Sequence, residues 1–134
     1  MPQEPANSEI RVAISRSDGV VEARQRGRVM ASQLGYSPSE ATLIAAAISE
    51  LARNIVNYAG RGEIIIRHDG QDMLLVIAQD DGPGIVDTQV ALRPGYSTSG
   101  GLGLGLPGIR RIADHFEILT NSKGTTVIFG KRKR

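Results

Sequence analysis

Glu50 and Asn54 stand four residues apart in Ser49-Glu50-Leu51-Ala52-Arg53-Asn54-Ile55, a spacing that points both toward one side of a helix. A carboxylate so placed can accept a proton, and an amide oxygen beside it can coordinate a hard cation. Taken alone, the pair equally suits a solvated helix face. Asp80 follows in Gln79-Asp80-Asp81-Gly82-Pro83-Gly84, as a ligand contact or as a turn residue; Gly82 and Gly84 let the chain turn tightly there. The third piece is Ser97-Thr98-Ser99-Gly100-Gly101-Leu102-Gly103-Leu104-Gly105-Leu106-Pro107-Gly108. Alternating glycines that lead into a helix let the backbone approach a phosphate chain and present N–H groups at the positive end of the helix dipole. An anion site is the functional reading, and a plain glycine loop is the alternative. No Gly-Lys-Ser/Thr follows, so this is not the Walker A loop, and Arg93 to Ser99 does not read as the strand a dinucleotide-binding turn requires.

Elements must bring these pieces together. Residues 10–14 alternate, with Ile10, Val12 and Ile14 on one side, as in a half-buried strand. Ser17 or Asp18 offers a cap for a helix whose buried stripe is Val20, Ala23, Gly27, Met30, Ala31 and Leu34, stopped by Gly35. Ser37-Pro38-Ser39-Glu40 is a capping box with proline at the first helical position. The helix it opens buries Ala41, Ile44, Ala45, Ile48, Leu51, Ala52 and Ile55, with Glu50, Asn54 and Asn57 as a polar stripe on roughly the opposite side. Glu63 to Arg67 and Met73 to Ala78 read as a hairpin around Asp69-Gly70-Gln71-Asp72. A third helix is predicted from Leu102 or Gly103 toward His115, with Leu106, Ile109, Ile112 and Ala113 inward, and two strands close the chain around Asn121-Ser122-Lys123-Gly124. The order β-α-α-β-β-α-β-β predicts an α/β two-layer sandwich, a mixed sheet covered on one face by about three helices.

Composition narrows the field. A chain of 134 residues with 40% hydrophobic and 22% charged positions fits one domain, residues 1–134. It holds no cysteine, which excludes disulfides and thiolate metal sites and suits a reducing cytoplasm. No apolar run approaches the roughly eighteen residues of a membrane span, and the start MPQEPANSE lacks a signal-peptide pattern. Of the net charge of +2, Lys123, Lys131, Arg132 and Arg134 place much near the C-terminus. With 4% aromatics and no Trp, that tail reads as solvated rather than as a nucleic-acid contact. His68 and His115 read as ordinary surface or partly buried histidines.

The ordered set Glu50-x-x-x-Asn54, Asp80-x-Gly82-x-Gly84, the glycine run, and Gly124-Thr125-Thr126 resembles the Bergerat-fold ATPase and kinase superfamily that includes gyrase, MutL and the histidine kinases. The resemblance covers nearly the whole chain. Ser49 to Ile55 and Gly95-Tyr96-Ser97-Thr98-Ser99-Gly100-Gly101-Leu102-Gly103 look most like the RsbT branch of bacterial switch kinases. It implies ATP and Mg²⁺ as cofactors, with Asn54 holding Mg²⁺, Asp80 accepting from the adenine amino group and Thr125 supporting the adenine directly or through water. Glu50 would be the general base; Gly100, Gly101, Gly103 and Gly105 would close over the phosphates; Gly82 and Gly84 would let the chain pass close to the base. Asn57 departs from the branch, where an apolar residue is expected.

The superfamily fixes ATP binding more firmly than its use. After the last strand only Gly130 to Arg134 remain, so the resemblance implies a lone domain whose acceptor lies on another protein. That acceptor would be a Ser or Thr of a STAS-domain protein in a stressosome-like module, with a PP2C-type phosphatase as a further effector. The competing class is an ATP-dependent binding switch such as an anti-sigma factor; Leu51-Ala52-Arg53 between Glu50 and Asn54 favours the kinase side.

Overall fold

The computed structural model describes residues 9–69, 72–82 and 105–134. In chain order these form β1 (Glu9–Ile14), α1 (Ser17–Gln33), α2 (Pro38–Asn54), a π-helical turn (Ile55–Ala59), β2 (Gly62–His68), β3 (Met73–Asp80), α3 (Gly105–Ile112), β4 (His115–Asn121) and β5 (Gly124–Arg132). Period-two alternation in the strands sends every second side chain to the helix layer. Register then stacks these into rows. Val12, Ile64, Ala78, Val127 and Ile118 lie side by side across the sheet, and so do Ile10, Ile66, Val76, Phe129 and Phe116. All ten are part of the core or packed on it.

Strand order is β1-β2-β3-β5-β4, and each of the four pairings is antiparallel. The two-layer architecture agrees with the expectation, whereas the described sheet is antiparallel rather than mixed. The cause is the insertion of β5. β3 and β4 do run in the same direction, as a helical crossover demands, but β5 folds back from β4 and takes the place between them. At the other edge, α1 and α2 form a helical hairpin, so the chain returns from β1 into β2 antiparallel.

α2 starts as its capping box dictates: Ser37 Oγ accepts the Glu40 N–H at 3.1 Å and lies 3.4 Å from the Glu40 carboxylate. α1 starts differently from the sequence reading. Ser17 is already helical, Arg16 occupies the cap position, and no side-chain cap bond is made. Leu34 caps the C-terminus of α1 and Gly35 follows it, with a φ of +93° that suits a residue without Cβ. The two helices approach closely at Gly27, where a Cβ would collide with Ile48 Cδ1. α3 ends at Ile112, so His115 opens β4 instead of closing a helix; Leu106 and Ile109 are buried as expected.

The C-terminal residues are not a solvated tail. β5 continues through Lys131 and Arg132, and Lys131 is buried. The buried Tyr36 hydroxyl donates to Lys131 O at 2.6 Å and lies 3.2 Å from Asp72 O. Lys133 Nζ donates to Leu34 O at 3.1 Å, Arg132 N–H donates to Asp114 Oδ2 at 2.8 Å, and Arg134 pairs with the Asp114 carboxylate. These bonds tie the end of β5 to the α1–α2 turn and to the start of β4. Local sequence shows only a run of cations there, because the acceptors are far away in the chain. Among the described residues no helix is long and apolar enough to cross a membrane.

Candidate functional site

The helix-facing row at one end of the sheet departs from the apolar pattern of the others. Register aligns Ile14, Gly62, Asp80, Thr125 and Thr120. Two polar groups and a carboxylate thus stand where α2 finishes. α2 ends at Asn54 and runs into the π-helical turn, which closes with Gly60 N–H donating to Ile55 O at 2.8 Å. π-Turns of this kind concentrate at functional sites. The turn is pressed against the strand ends. A Cβ on Gly62 would lie 3.0 Å from both Ile55 Cγ2 and Asp80 Cβ, and one on Gly82 would lie 2.7 Å from Ala59 Cβ. Small residues at positions 62 and 82 therefore let the ends of α2 and β3 meet, which brings Asn54 and Asp80 to the same end of the molecule.

Asp80 is held by backbone donors. Its Oδ1 accepts the N–H of Gly82 at 2.9 Å and the N–H of Thr125 at 3.2 Å. Among the described residues Oδ2 accepts no hydrogen bond, so one oxygen is fixed and the other is not. Gly124 makes this arrangement possible, since a Cβ there would collide with the Asp80 carbonyl oxygen. Thr125 is buried, and its Oγ1 stands 2.8 Å from Thr120 Oγ1.

Glu50 is 1% exposed, on the inner side of the last turns of α2. Carboxylates that deep are rare without a partner or a task. Arg53 Nη1, one turn along, lies 3.7 Å from Glu50 Oε1. Asn54 is half-buried and Asn57 is exposed. Two open grooves border Asp80, one of about 490 Å³ beside Thr120, Lys123 and Gly124, the other of about 760 Å³ beside Ala13, Arg61 and Glu63. Neither is lined by Glu50 or Asn54.

Asp80, Gly82 and Thr125 are thus assembled into one cluster, with Glu50 and Asn54 on the helix that abuts it. Gly105 opens α3, buried, with φ +67°. Gly84, Gly100, Gly101 and Gly103 lie outside the described residues. His115 is exposed, with Nε2 2.6 Å from Glu117 Oε2, and His68 is half-buried at the end of β2; neither joins the cluster. Thr120 and the π-turn residue Ala59 were not singled out by the sequence. For Thr120 a signal existed: the turn Asn121 to Gly124 sets a register in which Thr120 must face Thr125.

Among the described residues no three His, Cys, Asp or Glu side chains converge on a point, so there is no all-protein metal cage. Asn54 offers a single amide oxygen at the end of α2. Such a ligand fits Mg²⁺, which is commonly bound by one or two protein oxygens and completes its shell with phosphate and water.

Known proteins resemble this chain in both sequence and shape. It is 46% identical over 115 residues to the serine/threonine-protein kinase RsbT of Bacillus subtilis (strain 168), covering 84% of this chain and 86% of that protein. The crystal structure of the RsbU and RsbW domains of Rv1364c from Mycobacterium tuberculosis superposes with a TM-score of 0.67 at 16% identity, covering 94% of this chain and 32% of that one; at that identity the likeness is one of fold. Residues 14–131 match the family described as histidine kinase-like ATPase domain, and the chain belongs to that family.

Proposed function

We propose that the protein is an ATP-dependent serine/threonine protein kinase that transfers the γ-phosphoryl group to a hydroxyl of a STAS-domain partner in a stress-signalling, partner-switching module. The observation that carries the kinase reading over other uses of ATP is the 46% identity, across most of both chains, to a protein named as a serine/threonine kinase. The clustering of Asp80, Gly82 and Thr125 beside the end of α2 is compatible with it.

Asp80 offers its Oδ2 to the exocyclic amino group of adenine while Oδ1 stays tied to the Gly82 and Thr125 amides. Thr125 supports the same edge of the base. Gly82 and Gly84 would let the chain pass close to the base, and Gly100, Gly101, Gly103 and Gly105 would close over the phosphates. Asn54 would hold Mg²⁺, which, when bound, neutralises charge on the phosphate oxygens. Glu50 takes the proton of the acceptor hydroxyl as that oxygen bonds to the γ-phosphorus and the bond to the ADP oxygen breaks. Its burial keeps bulk water from competing for that role. The acceptor lies on a partner of the STAS class, and a PP2C-type phosphatase is a further effector of the same module.

Calorimetric titration with ATP, with and without Mg²⁺, tests the pocket. Micromolar binding that weakens at least tenfold on removing Mg²⁺ and in Asn54→Asp is expected. An intact fold with no measurable affinity for ATP would refute the proposal.

A further inference from the structure

We infer that Thr120 is a positioning residue for Thr125 and thereby sets the preference of the pocket for a 6-aminopurine. The inference rests on the reading of Asp80 and Thr125 as contacts to the base. Thr125 spends its backbone N–H on Asp80 Oδ1, so its hydroxyl is its remaining donor. That hydroxyl is buried and 2.8 Å from the hydroxyl of Thr120, its direct partner across the β4–β5 pair. Both residues are β-branched on paired strands, so both hydroxyls are held by stiff χ1 angles.

A hydroxyl has one hydrogen to give. Either hydroxyl can donate in this pair; with Thr120 as the donor, the Thr125 hydrogen is left for the ligand, next to the Asp80 Oδ2 acceptor. The protein then presents an acceptor beside a donor. That order complements an amino group beside an unprotonated ring nitrogen, the edge of adenine. It opposes the 6-oxo group and N1–H of hypoxanthine or guanine. Without the Thr120 hydroxyl, Thr125 turns as readily to accept as to donate, and only Asp80 still discriminates.

The test compares ATP and inosine triphosphate binding by calorimetry for the full chain, Thr120→Val, Thr120→Ala and Thr120→Ser, with thermal midpoints recorded for each. Thr120→Val and Thr120→Ala are expected to bind ATP about 3- to 10-fold more weakly. Their ATP-over-inosine-triphosphate ratio should fall by a similar factor at an unchanged Mg²⁺ dependence, and Thr120→Ser should restore both quantities. An unaltered ratio in a folded hydroxyl-free variant overturns the inference, as does a Thr120→Ser protein as impaired as Thr120→Val, which would make the contribution one of packing. Wild-type protein that binds ATP and inosine triphosphate equally would overturn the base-pocket reading itself and this inference with it.

Discussion

Thr125 gives its backbone N–H to Asp80 Oδ1 at 3.2 Å, and the two residues sit directly opposite one another in the β3–β5 pair. This bond turns a strand-end aspartate into a fixed acceptor. Asp80→Asn keeps the shape and can keep both backbone bonds through its amide oxygen. It then aims an NH₂ donor where a carboxylate oxygen stood. ATP affinity should fall by about 10- to 100-fold, the worth of a hydrogen bond to a charged group, with the thermal midpoint little changed. Equal calorimetric affinities of the variant and wild type would remove Asp80 from the pocket.

Gly124 carries the second expectation. With the Asp80 carbonyl oxygen against it, Gly124→Ala forces β3 and β5 apart at the site. A loss of about 2–4 kcal/mol is expected from overpacking of backbone that cannot yield. Urea unfolding measures it, and a midpoint equal to that of wild type would show that the strands give way freely.

Tyr36 tests the C-terminal anchor. Tyr36→Phe removes the hydroxyl that donates to the Lys131 carbonyl, while the Asp72 carbonyl keeps the Lys133 N–H, at a cost of about 1–2 kcal/mol by urea unfolding. Burial, with the charges of Glu40, Asp72 and Asp114 nearby, pushes the Tyr36 phenol up to about 12. A raised folded pKa means the neutral phenol stabilises the fold fully below about pH 10, and that the contribution is lost as pH rises toward about 12. Tyr36→Phe should therefore unfold less steeply than wild type across that alkaline window.

Asp114 supplies the acid counterpart. The hydrogen bond from Arg134 lowers its carboxyl to about 2, helped by the Arg132 N–H. A depressed pKa stabilises the fold above about 3.8 and is lost as pH falls through about 2. Arg134→Ala should lower stability at neutral pH and show a shallower decline between about pH 4 and 2. Parallel acid unfolding curves for the two proteins would show that the pair contributes nothing.

Sequence revealed most where the signal was local. Ser37 to Glu40 fixes the start of α2, but the apolar period that follows places Glu50 on the polar side opposite the core, whereas Glu50 is buried with the residues of that core and Asn54 is half-buried. The glycine spacing around Asp80 announced a tight turn, and the contacts of Gly82 with Ala59 and of Gly124 with the Asp80 carbonyl show why bulk is excluded there. Long-range relationships were not legible. Nothing near Lys131 or Arg134 in sequence indicates Tyr36 or Asp114 as partners, so that segment read as a free tail. The insertion of β5 between β3 and β4 is likewise a non-local choice, and the antiparallel sheet was missed for that reason. The π-turn after Asn54 carries no sequence mark at all, since Ile55 and Val56 continue the helical period. Arg16 takes the cap of α1 although Ser17 and Asp18 are better cap residues, because the pairing of β1 with β2 fixes where the strand must end.

Label transfer from γ-labelled ATP to a STAS-domain protein measures most directly the proposed phosphoryl transfer with Glu50 as the base. Wild-type protein with Mg²⁺ should label a Ser or Thr of the STAS protein. Glu50→Gln, with ATP affinity within about threefold of wild type, should lower that rate by at least about 100-fold. Wild-type protein that binds ATP yet labels no STAS protein, or a Glu50→Gln variant as active as wild type, would contradict the account.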